Sequence, residues 1–404
     1  MTAAEAIADA PFAGRRIWFA GIGGAGLSGY AVVARAWGAE VRGWDPVETP
    51  YLDPVRAAGI DVVVQPEPPP SPPGFERVVS SAFSDRVEGG SRGALLAELV
   101  DARPAIVVAG AHGKTTTAAM IAFCLDRLGL DPGFVIGAQV SQLGGNARPG
   151  RGWLVVEGDE SDRTVALLRP EIAVVTNVDL DHHTTFASRA EVADLFERWL
   201  ADVPHVVRGD RLEPTDVDLA VPGEHNRRNA AAALEALELA GVARADAARV
   251  LAEFRGAGRR FERRGEVEGV LVVDDYAHHP TEIAATLAAA RDLGRSRVVV
   301  VFQPHLFSRT RHLAFEFGRA LAAADTVCVT DVYAARERPV AGVNGKLIVD
   351  AVTASRPGMT VAWTPSLADA TRVVARLARP GDIVLTVGAG DVDRVAADLL
   401  EALA

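Results

Sequence analysis

Residues 107–117 read VVAGAHGKTTT, and this stretch decides how the chain around it is organised. The apolar run 105–109 is typical of a buried strand, and Lys114 opens a helix. Glycines at 110 and 113 let the backbone turn between strand and helix without a Cβ clash. Such a turn directs backbone N–H groups and a helix N-terminus at one place, which favours a bound phosphate.

The same loop carries two side chains suited to a nucleotide. Lys114 supplies a positive charge for the outer phosphates, and the hydroxyl of Thr115 can bind Mg2+. The spacing is G-x-x-G-K-T, shorter than the usual G-x-x-x-x-G-K-[ST]. The alternative is an ordinary strand-to-helix turn with an exposed lysine, but the strand before the loop and the helix after it favour nucleotide binding.

Composition sets the class of protein. The 404 residues allow two to three domains, and 49% hydrophobic residues are enough to form cores. A formal net charge of −11 argues against general binding to nucleic acid or to anionic membranes. Cys124 and Cys328 both lie in apolar contexts, so we expect two buried thiols and a cytoplasmic protein. Residues 1–10 lack the basic segment of a signal peptide.

The N-terminal part predicts a Rossmann-like unit. A strand at 16–20 precedes GIGGAGLSG at 21–29, in which Gly21, Gly23 and Gly26 fit G-x-G-x-x-G, and a helix follows at 30–37. A second strand ends at Asp45, about twenty residues on, where such units contact a ribose. Alone, this pattern indicates NAD, FAD or another diphosphate ligand, or only close packing of helix and strand. Ser80 and Ser81 follow a later strand, and either ligand contact or capping suits them.

Acidic and histidine side chains follow two strands of the central part. The strand at 153–156 ends in EGDESD, and the strand at 172–175 ends in TNVDLDHH. Acids placed after buried strands are costly unless they are solvated or hold a cation. In a nucleotide-binding sheet these positions face the phosphates, so Glu157 and His182 are predicted metal ligands, with Asp181 beside them. The alternative is a set of solvated loop residues.

The C-terminal part predicts a third α/β sheet that opens after Arg259-Arg260-Phe261. Its strands end in the polar clusters DDYAHHP (274–280), QPH with SRTR (303–311), DVYAARE (331–337) and GAGD (388–391). This edge of an open sheet is where ligands bind. Upstream, PGEHN precedes a helix predicted at 227–239, and His225, Asn226 and Asn229 either cap that helix or hold a base edge.

Taken together, these motifs resemble those of the Mur ligases. The resemblance rests on GIGGAGLSG, AGAHGKTTT, EGDESD, TNVDLDHH, PGEHNRRN, DDYAHHPTE with FQPHLFSRT, and DVYAARE, in this order. It implies an α/β fold of three domains: a Rossmann-like domain for a UDP-sugar (1–103), a central P-loop ATPase domain (104–258) and a Rossmann-like domain for an amino acid (259–404). The glycine loop would therefore bind the UDP diphosphate and not NAD.

The resemblance is closest to members that join L-alanine to UDP-N-acetylmuramate, and it implies ATP and Mg2+ as cofactors. The implied metal ligands are Thr115, Glu157 and His182, and the implied catalytic residues are Lys114, His182, His305 and Arg309. Contacts to ATP are implied for Gly110, Ala111, His112, Gly113, Lys114, Thr115, Thr116, His225, Asn226 and Asn229. Contacts to the sugar or the amino acid are implied for Gly21, Gly23, Gly24, Gly26, Ser28, Asp45, Ser80, Ser81, Tyr276, His278, Arg311 and Arg336.

One segment departs from the family pattern. Residues 197–221 form a short connection where the family carries a longer insert of strands, so we expect a shortened central domain. Three other functions compete: a ligase that joins the same sugar to a whole peptide, a weakly active or regulatory homologue, and a dehydrogenase fused to an ATPase. Intact Lys114, Glu157 and His182 argue against a regulatory protein. The oligomeric state is not readable from the sequence.

Replacement of Lys114 tests the nucleotide loop. We expect Lys114→Ala to abolish ATP turnover because the charge on the transferred phosphoryl group loses its cation. Binding of the UDP-sugar, which belongs to the glycine loop at 21–26, should persist. Phosphate release and direct titration with the sugar measure the two effects, and near-normal phosphate release from the variant would refute the assignment.

Overall fold

The computed structural model describes residues 10–181, 185–335 and 337–404. The chain forms two compact units. One comprises the described residues up to Ala220 together with Arg227–Ala257, and the other comprises Val221–Asn226 together with Gly258–Ala404. The first unit contains two sheets and the second contains one. The predicted α/β class with three mainly parallel sheets is thereby confirmed.

The first sheet is parallel throughout. Its strands are β1 Arg16–Ala20, β2 Glu40–Asp45, β3 Asp61–Val64, β4 Glu76–Val79 and β5 Gly90–Ser91, in the order β3-β2-β1-β4-β5. Its helices are α1 Ala25–Ala36, α2 Leu52–Ala57 and α3 Arg92–Asp101. Helix α3 starts at Arg92 because the side chain of Ser91 accepts a hydrogen bond from the Ala94 N–H and so caps the helix.

The second sheet has the order β11-β10-β6-β9-β7-β8. Its strands are β6 Ala105–Ala109, β7 Gly133–Val140, β8 Gly145–Pro149, β9 Leu154–Glu157, β10 Ile172–Val175 and β11 His205–Arg208. Only the pairing of β7 with β8 is antiparallel among the described strands of this sheet. The helices of this part are α4 Lys114–Arg127, α5 Arg189–Leu200, α6 Glu224–Leu239 and α7 Arg244–Leu251. Strand β6 is buried along its whole length, as a central parallel strand requires.

Helix α1 joins the first two sheets. A Cβ built on Gly29 would lie 2.5 Å from Cγ1 of Val135 on β7, so only glycine permits this approach. The side chain of Asn146 on β8 donates to the carbonyl of Ala25 over 2.8 Å. Apolar residues of both sheets belong to one buried cluster, which also contains Trp37. The glycine loop before α1 is therefore held against the second sheet.

The third sheet has the order β12-β13-β17-β14-β15-β16, with only β12 antiparallel among its described strands. Its strands are β12 Glu262–Val267, β13 Val270–Asp275, β14 Arg297–Phe302, β15 Thr326–Val329, β16 Thr360–Trp363 and β17 Asp382–Val387. Its helices are α8 Pro280–Asp292, α9 Phe307–His312, α10 Ala314–Leu321, α11 Lys346–Ser355, α12 Leu367–Leu377 and α13 Asp393–Leu403. Separate apolar clusters fill its two faces.

Helix boundaries differ from the sequence prediction at two places. Helix α1 begins at Ala25, five residues earlier than predicted, because Gly24 serves as its N-cap. Helix α6 begins at Glu224, three residues earlier than the predicted start at 227. Cys124 and Cys328 are buried free thiols, as expected. In the part of the chain that the structure describes, no helix has the length and apolar character to cross a membrane.

Substitution of Gly318 tests the packing of α10. A Cβ at this position would lie 2.5 Å from the backbone carbon of Ala351 on α11. We expect Gly318→Ala to lower the free energy of unfolding by about 1–3 kcal/mol, as overpacking does, despite the better helix propensity of alanine. Urea denaturation measures the change. The control Glu316→Ala, at an exposed position of the same helix, should be close to neutral, and an equal effect of both variants would contradict this account.

Candidate active site

The loop between β6 and α4 is enclosed on two sides. Gly110 and Gly113 have φ values of +125° and +81°, where other residues are strained. A Cβ on Gly110 would lie 2.3 Å from Oγ1 of Thr176, at the end of β10. A Cβ on Gly113 would lie 2.4 Å from Oδ1 of Asn229 on α6. Both glycines are needed, and Asn229 lies directly against the predicted nucleotide loop.

Side chains after β10 hold this loop in place. The N–H of His112 donates to Oδ1 of Asn177 over 3.0 Å, and Nδ2 of Asn177 donates to the His112 carbonyl over 2.8 Å. The hydroxyl of Thr176 donates to the same carbonyl over 2.6 Å. Thr176 and Asn177 were missed as site residues, although they begin the TNVDLDHH motif. Their contacts are with the loop backbone and become visible only when β6 and β10 pair.

Lys114 is buried in an ion pair. Its Nζ lies 3.0 and 3.2 Å from the two carboxylate oxygens of Glu160, whose side chain is 3% exposed, and it donates to the carbonyl of Gly110 over 2.5 Å. Burial lowers the pKa of Lys114, but Glu160 and Asp159 outweigh burial, so the pKa stands above its usual value. The ammonium is therefore charged at neutral pH.

Thr115 and Glu157 form the described part of the predicted metal site. The Thr115 hydroxyl lies 3.0 Å from Oε2 of Glu157, and Oε1 of Glu157 accepts from the Gly137 N–H over 2.6 Å. A hydroxyl and a carboxylate oxygen at this separation suit Mg2+, which prefers oxygen ligands. Asp181 is buried after β10. His182, predicted as a ligand and as catalytic, lies outside the described residues, so its assignment stays a prediction.

The glycine loop before α1 is hydrogen-bonded to Asp45, the last residue of β2. Oδ2 of Asp45 accepts from the Gly23 N–H over 2.8 Å, and Thr49 donates to the Gly23 carbonyl over 2.8 Å. Burial raises the pKa of Asp45 despite these backbone contacts. The Asp45 carboxylate thus fixes the position of the glycine loop at Gly23. Gly24 N-caps α1, and the first turn with Gly26 bears no acidic side chain, so it presents N–H groups suited to an anion.

The predicted serines have local partners. The Ser28 hydroxyl donates to the carbonyl of Ala25 over 3.1 Å and is buried. Ser80 accepts a 3.4 Å hydrogen bond from the Ala82 N–H, and Ser81 is exposed. These contacts correspond to the capping alternative for Ser80, and its substrate role stays a prediction.

Arg92, which sequence reasoning missed, is the first residue of α3. Its Nε and Nη2 donate to Oδ2 of Asp162 over 3.2 and 3.0 Å, and Nη2 also donates to Asp159. Burial would raise the pKa of Asp159, but Arg92 and Lys114 lower it well below the usual range. The sequence carries no signal for this contact, because it depends on how α3 packs on the loop after β9.

Four aromatic rings line up at the carboxyl ends of β13, β14 and β15. The ring of Tyr276 lies 5.4 Å from that of His278, which lies 6.0 Å from that of His305. His305 stacks on Tyr333 at 5.7 Å with an interplanar angle of 14°. The structure thus brings together three predicted residues and adds Tyr333, which belongs to the DVYAARE cluster.

Helix α9 carries two arginines that the sequence predicted for the site. Nη1 of Arg309 lies 3.4 Å from Nδ1 of His305, and Arg309 is 5% exposed. Arg311 is exposed on the same helix. Glu337 accepts from the N–H and the hydroxyl of Ser308 and so fixes the start of α9. Arg336, predicted to bind substrate, lies outside the described residues.

Arg259 fixes the end of β17, and sequence reasoning missed this role too. Its Nε donates to Asp274 over 2.8 Å, and its other nitrogens donate to the carbonyls of Gly388 and Gly390 over 2.8 and 2.9 Å. Asp274 is fully buried, so this ion pair is structurally required. Burial raises the pKa of the neighbouring Asp275 to about 6.

His225 and Asn226 lie in the first turn of α6. Burial lowers the pKa of His225, so its imidazole is neutral at pH 7, and a Cβ on Gly223 would lie 2.6 Å from that ring. Nδ2 of Asn226 donates to the carbonyl of Pro222 over 2.7 Å. Both residues belong to the second compact unit, whereas Asn229 belongs to the first.

Comparison with known proteins places these sites in a family. Three family models match in succession: "Mur ligase family, catalytic domain" over residues 16–104, "Mur ligase middle domain" over 108–206 and "Mur ligase, glutamate ligase domain" over 259–390. A UDP-N-acetylmuramate–L-alanine ligase from Kineococcus radiotolerans is 41% identical, with 96% of each chain covered. The chain belongs to the Mur ligase family. A relative of the same name from Streptomyces coelicolor is 38% identical, covering 97% of this chain and 98% of its own.

Solved structures of related ligases are also similar to this Mur ligase. The UDP-N-acetylmuramate–alanine ligase MurC from Thermotoga maritima is 26% identical, with a TM-score of 0.80, 96% of this chain and 98% of that chain covered. A murein peptide ligase from Psychrobacter arcticus shares the fold at 24% identity, with a TM-score of 0.67 over 96% and 99% of the two chains.

This Mur ligase is shorter than its relatives. Its alignment with the Kineococcus protein runs over 455 positions, 51 more than the 404 residues of the chain. The relative therefore has at least that many residues without a counterpart here. At 197–221, where a shortened connection was expected, the structure places the end of α5, the four-residue edge strand β11 and an irregular segment.

Neutralising Glu160 tests its hold on Lys114. For Lys114 to bind a nucleotide phosphate, its ammonium must leave the Glu160 carboxylate. The charge-assisted hydrogen bond that is lost contributes about 1.5–3 kcal/mol. We expect Glu160→Gln to bind ATP roughly tenfold more tightly than the wild type when Mg2+ is chelated. Titration with a fluorescent ATP analogue measures the affinity. Glu253→Gln, which alters an exposed pair with Arg127, is the control, and unchanged or weaker affinity in Glu160→Gln would contradict the competition.

Proposed function

We propose that this Mur ligase joins L-alanine to the lactyl carboxylate of UDP-N-acetylmuramate, converting ATP to ADP and phosphate in peptidoglycan precursor synthesis. The observation that carries the proposal is the constellation after β6 and β9. There Lys114 and Thr115, the first residues of α4 after β6, lie beside the carboxylates of the segment that begins at Glu157, the last residue of the neighbouring parallel strand β9. Relatives with this activity in their names, 36–41% identical over almost the whole chain, support it.

The first half of the reaction activates the sugar carboxylate. A carboxylate is a poor electrophile, so the γ-phosphoryl group of ATP is transferred to it, which gives an acyl phosphate and ADP. Lys114 moves from Glu160 to the phosphates and neutralises charge on the group in flight. Thr115 and Glu157, with His182, would hold Mg2+, which when bound neutralises phosphate charge and orients the reacting oxygens. The loop N–H groups of 110–115 bind and orient the phosphate chain.

The second half joins the amine. The neutral amino group of alanine attacks the acyl carbon, the tetrahedral intermediate expels phosphate, and the nitrogen loses a proton. We assign recognition of the alanine carboxylate to Arg309 and Arg311 of α9, because a guanidinium matches carboxylate geometry. His278 and His305 stand in the ring row beside Arg309, and either imidazole can accept the proton from the amine.

We assign the three sheets to three tasks. Residues 1–103 would bind the UDP-sugar through Gly21–Gly26, Asp45 and the Ser80–Ser81 turn. Residues 104–258 would bind ATP, and residues 259–404 the amino acid. Asn229 would contact the nucleotide, and the adenine contacts predicted for His225 and Asn226 stay predictions. Asn229 fits this role, because it already touches Gly113 of the nucleotide loop.

Phosphate release tests the function. With Mg2+, ATP and UDP-N-acetylmuramate, we expect release that depends on L-alanine, and a product that is heavier by one alanyl residue on mass spectrometry. A tripeptide offered in place of alanine should support at most a few per cent of that rate. Release that L-alanine does not stimulate would exclude the proposal, whereas preference for the tripeptide would identify a peptide ligase.

A further inference from the structure

Gly26 leaves open space beside the first turn of α1. Its φ is not left-handed, and a Cβ built on it would meet no described atom outside the local backbone closer than 3.9 Å. Gly29 of the same helix differs, because a Cβ there would lie 2.5 Å from Cγ1 of Val135. Neither backbone conformation nor packing therefore requires glycine at 26, and alanine would favour the helix. Such a glycine allows a ligand to approach the backbone closely.

Two hydrogen-bond donors border this space. The hydroxyl oxygen of Tyr30 and Nη1 of Arg92 would each lie 3.9 Å from a Cβ at Gly26. Tyr30 is four residues further along α1, and helical side chains tilt toward the N-terminus, so its ring extends over Gly26. The hydroxyl is thereby brought to the first turn. Arg92 donates to Asp159 and Asp162 through Nε and Nη2, and these contacts leave Nη1 unused.

The Tyr30 hydroxyl has a proton to donate and no protein group to receive it. Tyr30 is only 7% exposed, and its hydroxyl has no hydrogen-bond partner among the residues that the structure describes. Buried polar groups normally have partners, so one without a protein partner points to a bound molecule. Burial raises the pKa of Tyr30 well above its usual value, although the Arg92 charge lowers it. The hydroxyl is therefore protonated at neutral pH and remains a donor.

The groups around this space call for a ligand that accepts hydrogen bonds. The first turn of α1 presents backbone N–H groups and bears no acidic side chain, and the start of a helix favours an anion. Tyr30 and Arg92 add a hydroxyl and a guanidinium N–H from the side. Asp159 and Asp162 offset the charge of Arg92, so hydrogen bonds and not net charge provide the binding here. Phosphate oxygens are acceptors of this kind.

We propose that Tyr30 is a further substrate-binding residue, whose hydroxyl donates a hydrogen bond to the diphosphate of the UDP-sugar beside the first turn of α1. The inference rests on the proposed function, which assigns that diphosphate to the glycine loop at 21–26. Gly26 leaves the room that the phosphate occupies. The Tyr30 ring belongs to the buried apolar cluster of the first two sheets, so the hydroxyl is held in place before the substrate arrives. Little side-chain entropy is lost when it binds.

Tyr30→Phe removes the hydroxyl and keeps the ring. Calorimetry on the full chain measures the dissociation constants of UDP-N-acetylmuramate and of UDP. We expect both ligands to bind roughly tenfold more weakly, because each loses a hydrogen bond to a charged group. The KM for UDP-N-acetylmuramate should rise by a similar factor, while kcat and the KM for L-alanine stay near the wild-type values. The melting temperature should not fall, since the hydroxyl has no protein partner to lose.

Gly26→Ala tests the open space itself. The added methyl group would meet no described side chain closer than 3.9 Å, and alanine is the better helix former, so the melting temperature should stay the same or rise. The methyl group would occupy the place of the phosphate, so UDP-N-acetylmuramate should bind at least roughly tenfold more weakly. Thr371→Val, which removes a buried hydroxyl that donates to the Leu367 carbonyl in α12, is the control and should keep the wild-type affinity.

The outcomes distinguish this inference from the proposed function. Unchanged affinity in Tyr30→Phe overturns the role of Tyr30. A loss for UDP-N-acetylmuramate that UDP does not share also overturns it, because the hydroxyl would then face the sugar and not the diphosphate. Wild-type protein that binds no UDP-N-acetylmuramate and shows no alanine-dependent phosphate release overturns the proposed function instead. Alanine-dependent release with a wild-type KM in Tyr30→Phe would leave the function standing and remove only the inference.

Discussion

The structure of the first compact unit depends on the charge of one short segment. Residues 157–162 bring four carboxylates to the end of a buried parallel strand. A charge in such a place is stable only when it is paired and hydrogen-bonded. Each of the four carboxylates has a partner. Glu157 faces Thr115 and the Gly137 N–H, and Glu160 faces Lys114. Asp159 and Asp162 both face Arg92.

Close backbone approach makes these pairings possible. Gly110 and Gly113 have left-handed backbone conformations, and side chains of Thr176 and Asn229 fill the space that a Cβ would need. Gly93 and Gly29 play the same part where α3 and α1 meet the second sheet. Because interiors are close-packed, a methyl group at Gly110 or Gly113 would displace Thr176 or Asn229, and one at Gly93 or Gly29 would displace Thr164 or Val135. Glycine here positions charge as well as permitting turns.

The second compact unit also pairs a buried carboxylate with a cation. Buried Asp274 requires a cation, and Arg259 supplies it while binding the carbonyls of Gly388 and Gly390. The loop after β17 is thereby fixed next to the strand ends that carry Tyr276, His278, His305 and Tyr333. The stacked rings of His305 and Tyr333 lie beside the buried Arg309 of α9.

The sequence by itself determined the α/β class, the three sheets and the strand ends at which polar side chains gather. Apolar runs bounded by glycine-rich turns show where parallel strands stop, and ligands bind at those ends. It predicted site roles for Lys114, Glu157 and the His278–His305 region from motifs that are local along the chain, and those roles stay predictions. Only the tertiary structure decided the partners of those groups. The pairs of Lys114 with Glu160, Arg92 with Asp162 and Arg259 with Asp274 join residues 46, 70 and 15 positions apart. Such pairings depend on strand order and on helix packing, which no local pattern encodes.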